Sequence, residues 1–201
     1  MKLYFAPGAC SLTPHIALRE AELPFELERV DHRSKKTKDG GDYRAINPKG
    51  QVPALRLDDG QILTEVAVLV QYIADQKPAA KLAPPAGSMP RYRLQEWLNF
   101  IASEMHKGVG ALFNAAFSDE WKAKQKELLV PKFEFIAAGL EGKPYLMGEF
   151  TVADPYLYNI LRWTKLHKID LARWPAIVTF DARIEARPAV QAALKAEGLI
   201  K

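Results

Sequence analysis

The single cysteine of the chain, Cys10, stands where the sequence places a thiol at the start of a helix. A short apolar strand, Leu3 to Phe5, turns through Pro7 and Gly8, and an amphipathic helix pattern follows the cysteine. Free backbone N–H groups and the positive end of the helix dipole favour an anion there, so we expect the pKa of the Cys10 thiol to lie below that of free cysteine. Because there is no second cysteine, redox turnover needs a thiol from another molecule. The alternative interpretation is a buried apolar side chain, the usual role of an isolated cysteine.

The turn around Val52-Pro53 is the second feature that suits a binding site. It follows Asn47 to Gln51 and leads into a short strand, a pattern that predicts a tight turn able to hold a cis X-Pro peptide. Such a turn exposes the N–H and C=O of Val52 beside a helix N-terminus. An extended chain can pair with these two groups, in the way that a peptide adds to the edge of a sheet.

The first part of the chain, which must position these residues, has the pattern of an α/β fold. From Met1 to about Gln76 the order is β-α-β-α-β-β-α, in which the stretch 34–46 is polar and either helical or irregular. The sequence Asp-Asp-Gly-Gln at 58–61 predicts a hairpin turn between two short strands. Thr64 is expected to cap the helix over 65–75. This order is typical of a mixed sheet with helices packed on it.

A stretch rich in proline and alanine, residues 76–88, ends this pattern and predicts a linker. No strand pattern follows it, and the helices expected beyond it are 91–112, 119–140, 153–167, 176–186 and 189–197. A capping box is predicted at 151–154, in which Thr151 accepts from the N–H of residue 154 and Asp154 reaches back to residue 151. We therefore expect an α/β domain over 1–77, a linker over 78–88 and an all-helical domain over 89–201.

The composition argues against several classes of protein. Among 201 residues, 28 Lys and Arg are interleaved with 24 Asp and Glu, so the net charge is +4 without a basic stripe for nucleic acid. No apolar run is long enough to span a bilayer, and the N-terminus lacks the basic and apolar regions of a signal peptide. His15 and His32 have no acidic or cysteine neighbours at ligand spacing, so no metal site is expected. We expect a soluble cytoplasmic protein without nucleic-acid or membrane partners.

Four separated motifs together resemble the cytosolic glutathione transferases. They are the Cys10 turn, the strand entry 51–55, Leu-Thr-Glu at 63–65 and the capping box at 151–154. The Ser-Leu after the cysteine, Trp-Leu-Asn at 97–99 and Glu-Met-His-Lys at 104–107 are similar to the bacterial beta class. The resemblance implies a thioredoxin-like N-terminal domain, an all-helical C-terminal domain and a homodimer with its active site at the domain cleft. It also implies glutathione as co-substrate, no other cofactor, and a small hydrophobic electrophile.

The resemblance assigns catalytic roles to three residues. Cys10 would meet the glutathione sulfur, either in a hydrogen bond to its thiolate or in a mixed disulfide. His106 would donate or accept a proton near Cys10, and Ser11 would either donate to the thiolate or cap the helix. The residues expected to bind glutathione are Cys10, Lys35, Val52, Glu65, Val66, Asn99, Ser103, Glu104, His106 and Lys107.

The resemblance also orients the tripeptide. Val52 would pair with the cysteinyl unit, while Glu65 and the N–H of Val66 would hold the γ-glutamyl end. Lys35 and Lys107 would meet the glycyl carboxylate or line the cleft. Each of two residues also has an explanation without a ligand. In these explanations, Lys35 simply belongs to a solvated run of charges, and Glu65 is simply an acidic residue that stabilises the first turn of the helix. Asn99 and His106 are seven residues apart on one helix and are expected to share a face.

Two departures from the wider family bear on function. Phe5 stands where many transferases carry a catalytic tyrosine, and Val66 stands where a serine often helps to bind the glutamyl carboxylate. The function expected is transfer of glutathione to small hydrophobic electrophiles, assisted by a cysteine. One alternative is a glutathione-dependent disulfide reductase or reductive dehalogenase, because cysteine can form the covalent intermediate itself. Another is a non-catalytic carrier of ligands, which would need none of the chemistry of Cys10, Glu65 and His106.

Overall fold

The structure, a computed structural model, describes all residues from Met1 to Lys201. It divides into two compact units, each described here by itself: unit 1 comprises 1–83 with 187–201, and unit 2 comprises 84–186. This division differs from the expected boundaries of 1–77, 78–88 and 89–201, because the C-terminal segment packs with the N-terminal part of the chain. None of the helices combines the length and apolar character that crossing a bilayer requires.

Unit 1 is built on a four-stranded mixed sheet with the strand order β2-β1-β3-β4. The strands are β1 (Lys2–Phe5), β2 (Glu26–Arg29), β3 (Ala54–Arg56) and β4 (Ile62–Thr64). β1 pairs in parallel with β2 and antiparallel with β3, and β3 pairs antiparallel with β4. The expected hairpin is confirmed: Gly60, at a φ of +88°, supplies the left-handed position of the turn between β3 and β4. The mixed sheet predicted from the sequence is therefore confirmed.

Three helices belong to unit 1: α1 (Leu12–Glu20), α2 (Val66–Gln76) and α8 (Pro188–Ala196). Both α2 and α8 pack on α1. Three apolar residues of α2, Leu69, Val70 and Ile73, are fully buried. The stretch 34–46 contains a short 3₁₀ turn, Tyr43–Ala45, and three residues in isolated β-bridges, Lys36, Thr37 and Asp42.

The cap expected for α2 is wrong. Thr64 stays in β4, opposite Ala54, and Glu65 takes the N-cap position. Its side chain makes no cap hydrogen bond. The strand therefore runs directly into the helix, and the carboxylate of Glu65 remains available for other partners.

Unit 2 is helical throughout. Its helices are α3 (Met89–Phe100), α4 (Lys107–Gly110), α5 (Asp119–Leu140), α6 (Ala153–Leu166) and α7 (Pro175–Glu185). Between α3 and α4 runs a π-helical segment, Ile101–His106, and a 3₁₀ turn, Ala111–Phe113, follows α4. The helix expected over 91–112 is thus continuous in extent but changes its hydrogen bonding in the middle. α6 packs on α3, on the π-helical segment and on α7.

The capping box before α6 forms in a modified way. As expected, Asp154 reaches back, since its Oδ2 accepts from the N–H of Thr151 at 2.7 Å. The Thr151 hydroxyl donates to the same carboxylate at 3.2 Å, and the N–H of Asp154 donates to the carbonyl oxygen of Thr151 at 3.1 Å. Asp154 Oδ1 also accepts from the N–H of Leu146 at 3.0 Å. Asp154 is fully buried, so these three donors help to compensate its charge.

We expect Asp154→Asn to lower the free energy of unfolding by about 2 to 3 kcal/mol. The amide would keep one acceptor oxygen and turn an NH₂ group toward donors that are buried with it. Urea unfolding of the variant measures this loss. Asp119→Asn, an exposed acid in the first turn of α5, is the matched control and should cost no more than about 1 kcal/mol. Equal losses in the two variants would contradict a buried role for Asp154.

Candidate functional site

Cys10 lies in the turn after β1, one residue before the N-cap position of α1. The thiol is half-buried and donates through Sγ to the carbonyl oxygen of Val52 at 3.2 Å. The two features that the sequence singled out therefore meet. The carbonyl favours the protonated thiol, whereas the start of α1 favours the thiolate, so the low pKa expected for Cys10 stays a prediction to be measured.

Ser11 does not cap α1 as one of its two expected roles required, and donation to a thiolate stays a prediction. Its hydroxyl accepts from the N–H of Ala6 at 3.1 Å and donates to the carbonyl of the same residue at 3.2 Å. It makes no side-chain cap bond to α1, and its residue is fully buried. Because its one hydrogen is given to Ala6, it ties the end of β1 to the start of α1 and positions the turn that carries Cys10.

The same turn is held from the other end of the chain. The N–H of Gly8 donates to Glu197 Oε2 at 2.9 Å, and Glu197 Oε1 lies 2.8 Å from Nδ1 of His15. Arg19 Nε donates to His15 Nε2 at 2.9 Å. His15 Nε2 is therefore an acceptor without a hydrogen, and His15 Nδ1 is the nitrogen that donates to the carboxylate. The His15 and Glu197 side chains are fully buried. The sequence was examined only for metal-ligand spacing around His15. It gave no sign of this pair, because Glu197 lies 182 positions away.

We expect Glu197→Gln to lower the free energy of unfolding by about 2 kcal/mol, because one amide oxygen cannot accept from both Gly8 and His15. Chemical denaturation, followed by circular dichroism, measures the change. Glu22→Gln is the matched control, since Glu22 belongs to an exposed pair with Lys77 at 3.4 Å, and such pairs contribute at most about 1 kcal/mol. A Glu197 variant as stable as the control would show that the buried network is not needed.

The turn before β3 presents the backbone of Val52 next to Cys10. The Val52–Pro53 peptide, which the sequence pattern allowed to be cis, is cis, and Val52 is 9% exposed. One peptide unit earlier, the carbonyl of Gln51 accepts from the Tyr43 hydroxyl at 2.9 Å and from Asn47 Nδ2 at 2.6 Å. Tyr43 and Asn47 were missed by sequence reasoning, because nothing in the pattern shows where their side chains point.

A third feature of unit 1 is the junction of β4 and α2. Glu65 adopts a φ of +69°, which is unusual for a residue other than glycine and is often found at functional sites. Its exposed carboxylate bonds to Lys49 Nζ, which also donates to Thr64 Oγ1 at 2.8 Å. Val66 opens the helix with its side chain almost fully buried. A carboxylate beside helical N–H groups suits a zwitterionic α-amino-acid group.

Lys35 lies alongside the turn that precedes Val52. Its Cδ is 3.8 Å from the position that a Cβ on Gly50 would take, and its own φ is +57°. The N–H of Tyr43 donates to the carbonyl of Lys35 at 2.9 Å. The placement beside Gly50 is compatible with the expected role at the glycyl carboxylate, which stays a prediction.

The candidates of unit 2 cluster on the π-helical segment and its ends. His106 Nδ1 lies 2.8 Å from the Tyr156 hydroxyl, and the His106 ring meets that of Trp163 edge to face, with centroids 5.2 Å apart. Phe113 also meets the Trp163 ring edge to face, with centroids 5.6 Å apart. A π turn inside a helix frequently marks a functional position, and here it ends at His106.

The π turn between Asn99 and His106 removes the basis on which the two residues were expected to share a face. That expectation assumed about 3.6 residues per turn throughout, and the π turn between them bonds i to i+5 and is wider. Ser103 donates to the carbonyl of Asn99 at 3.0 Å. Glu104 bonds to Lys132 of α5, which holds the pKa of its carboxyl below the usual range. Lys107 is exposed, and the binding roles of these residues stay predictions.

A four-stranded mixed sheet flanked by helices, followed along the chain by a helical unit, defines a thioredoxin-like fold joined to an all-helical one. The family model described as glutathione S-transferase, N-terminal domain, matches residues 8–76, and the one described as glutathione S-transferase, C-terminal domain, matches residues 100–188. The chain belongs to the glutathione S-transferase family.

Individual relatives agree over the whole length. A glutathione S-transferase named GstA from Escherichia coli is 46% identical, with 99% of this chain and 100% of that protein aligned. A sphingomonad glutathione S-transferase solved with glutathione has a TM-score of 0.96 and 49% identity, with both chains fully covered. The beta-class glutathione S-transferase of Sphingomonas chungbukensis has a TM-score of 0.96 and 45% identity, again over both full chains. The resemblance to the bacterial beta class is therefore confirmed.

Proposed function

We propose that this protein is a glutathione S-transferase that transfers glutathione to small hydrophobic electrophiles, with Cys10 at the reacting sulfur. The observation that carries the proposal is the arrangement in unit 1, where Cys10 Sγ lies 3.2 Å from the carbonyl of Val52. Glu65 and the first turn of α2 stand at the end of β4, which pairs with β3 just after that turn. One edge therefore offers groups for a thiol, a peptide backbone and an α-amino-acid end.

Glutathione contains all three of these groups: a thiol, a peptide backbone and an α-amino-acid end. Its cysteinyl unit would pair with the backbone of Val52, and its γ-glutamyl ammonium would meet the carboxylate of Glu65. The glutamyl carboxylate would accept from the N–H groups at the start of α2, Val66 included. Binding the ammonium would displace Lys49 from Glu65, an exchange of one cation for another. Relatives over the full chain are named glutathione S-transferases, and a structural neighbour was solved with glutathione.

The chemistry follows from placing the glutathione sulfur at Cys10. In conjugation, the glutathione thiolate attacks the electrophile, forms a carbon–sulfur bond and displaces the leaving group. With oxidised glutathione, the Cys10 thiolate attacks one sulfur of the disulfide, forms a mixed disulfide and releases the other half as a thiolate, which takes up a proton. His106, oriented by its bond to Tyr156, is proposed to hold or supply a proton near the substrate.

The two alternatives are less well supported. A disulfide reductase or dehalogenase would use the same thiol, but the full-length relatives are named as transferases. A non-catalytic carrier would need no thiol at the Val52 edge. We assign the electrophile to a small hydrophobic class, in keeping with the aromatic rings of Phe113 and Trp163 beside His106.

We expect Cys10 to form a one-to-one mixed disulfide with oxidised glutathione and to be alkylated with a pKa below about 8.5. Mass spectrometry and alkylation rates across pH measure the two properties. Cys10→Ala should form no adduct, and it should change the ratio of disulfide exchange to conjugation of a haloaromatic. An ordinary cysteine titration together with no adduct and no glutathione binding would refute the proposal.

We also propose a cytoplasmic homodimer, as the resemblance implied. Large apolar side chains are exposed in both units: Val68 is 49% exposed in unit 1, and Met89 and Tyr92 are 65% and 53% exposed in unit 2. Burying these side chains against a second copy would favour association.

At micromolar concentration, sedimentation should give twice the 22.5 kDa mass of one chain. Burial of the exposed apolar side chains against a second copy would supply the driving force. Tyr92→Glu should shift the distribution toward the single chain, whereas Tyr145→Glu, on another part of unit 2, serves as the control. A wild-type protein that sediments as a single chain at this concentration would refute the dimer.

A further inference from the structure

Two buried side chains converge on one backbone carbonyl next to the candidate thiol site. The Tyr43 hydroxyl and Asn47 Nδ2 both donate to the carbonyl oxygen of Gln51, at 2.9 and 2.6 Å. Tyr43 has no exposed surface, and Asn47 is 2% exposed. A carbonyl oxygen accepts from two donors at most in this way, so both of its lone pairs are used and its direction is fixed.

The peptide unit that carries this carbonyl also carries the N–H of Val52. The cis peptide of the turn is the following one, Val52–Pro53, so the Gln51–Val52 peptide is trans. In a planar trans peptide, the C=O and the N–H point in opposite directions. With the Gln51 oxygen held toward the two buried donors, the Val52 N–H is directed away from them.

Both donors are themselves held in place. Asn47 Oδ1 accepts from the N–H of Lys49 at 3.2 Å, and the backbone carbonyl of Asn47 accepts from the N–H of Gly50 at 2.8 Å. The Tyr43 ring packs in a buried cluster with Tyr4 and Val52. Burial, with a smaller contribution from a negative charge on Cys10, raises the pKa of Tyr43 to about 12. The hydroxyl therefore stays a donor when Cys10 is a thiolate.

We propose that Tyr43 and Asn47 are positioning residues for the thiol substrate: through the carbonyl of Gln51 they aim the N–H of Val52 at the carbonyl of the cysteinyl unit. The inference rests on the proposed function, because that carbonyl belongs to glutathione. Neither side chain has to touch the ligand. Their contribution is a backbone donor that is already oriented before binding, so less ordering is needed when the ligand arrives.

Two variants remove one donor each. Tyr43→Phe deletes the hydroxyl and keeps the ring in its cluster. Asn47→Asp keeps the acceptor for Lys49 but replaces the NH₂ group by an oxygen, so it removes the other bond to the Gln51 carbonyl and still tests the proposal if Tyr43→Phe does not fold. Tyr4→Phe is the matched control, because it deletes a hydroxyl from a buried ring whose centroid lies 5.7 Å from that of Tyr43.

A pair of ligands separates positioning from general loosening of unit 1. The S-methyl forms of γ-glutamylcysteinamide and γ-glutamylcysteamine differ only by the carboxamide that contains the cysteinyl carbonyl. Their inhibition constants are measured against glutathione in the conjugation of a haloaromatic. We expect Tyr43→Phe and Asn47→Asp to raise the constant of the carboxamide ligand about fivefold, the effect of one hydrogen bond, and to change that of the other ligand by less than about twofold.

The outcomes are distinct. A rise confined to the carboxamide ligand, absent in Tyr4→Phe, supports the positioning role. Equal rises for both ligands, or no rise for either, would overturn it and leave the proposed function intact. If the wild-type protein shows no glutathione conjugation and binds neither ligand, the proposed function fails, and the inference fails with it.

Discussion

The contact between the Cys10 thiol and the Val52 carbonyl joins two turns that are far apart in sequence, and the candidate site depends on it. Each turn leaves or enters a strand of the same sheet: Cys10 follows β1, and Val52 precedes β3. Because β1 and β3 are antiparallel neighbours, the end of one lies beside the start of the other. The sheet topology, rather than any local preference, brings the thiol to the backbone edge.

Buried polar side chains form hydrogen bonds to the backbone of both turns. Ser11 and Glu197 fix the backbone before Cys10, through Ala6 and Gly8 respectively, while Tyr43 and Asn47 fix the backbone before Val52. An unpaired group in any of these positions would be costly in a dry environment. The proposed site therefore depends on a second layer of side chains, to which no step of the proposed reaction is assigned.

Unit 2 carries its candidates on an irregular helix rather than on turns. The π turn that ends at His106 changes the direction of the side chains after Phe100, and the bond from His106 to Tyr156 orients the imidazole. The carboxylate of Glu104 forms an ion pair with Lys132 of α5. Among the residues that the sequence grouped as one motif, the structure thus distinguishes an oriented histidine from a carboxylate in an ion pair.

The sequence by itself determined the fold class, the hairpin at Gly60, the extent of most helices and the thiol and backbone edge of the site, because strand and helix periodicity and turn chemistry are local signals. It misplaced the caps at Ser11 and Thr64, since those hydroxyls are decided by what packs against them. It gave no indication of Glu197, Tyr43 or Asn47, whose partners are set by burial and by contacts distant along the chain or hidden in a loop. Only the tertiary structure decided that the C-terminal segment packs with the N-terminal unit. The apolar face of α8 predicts burial, but it does not specify which surface the helix is buried against.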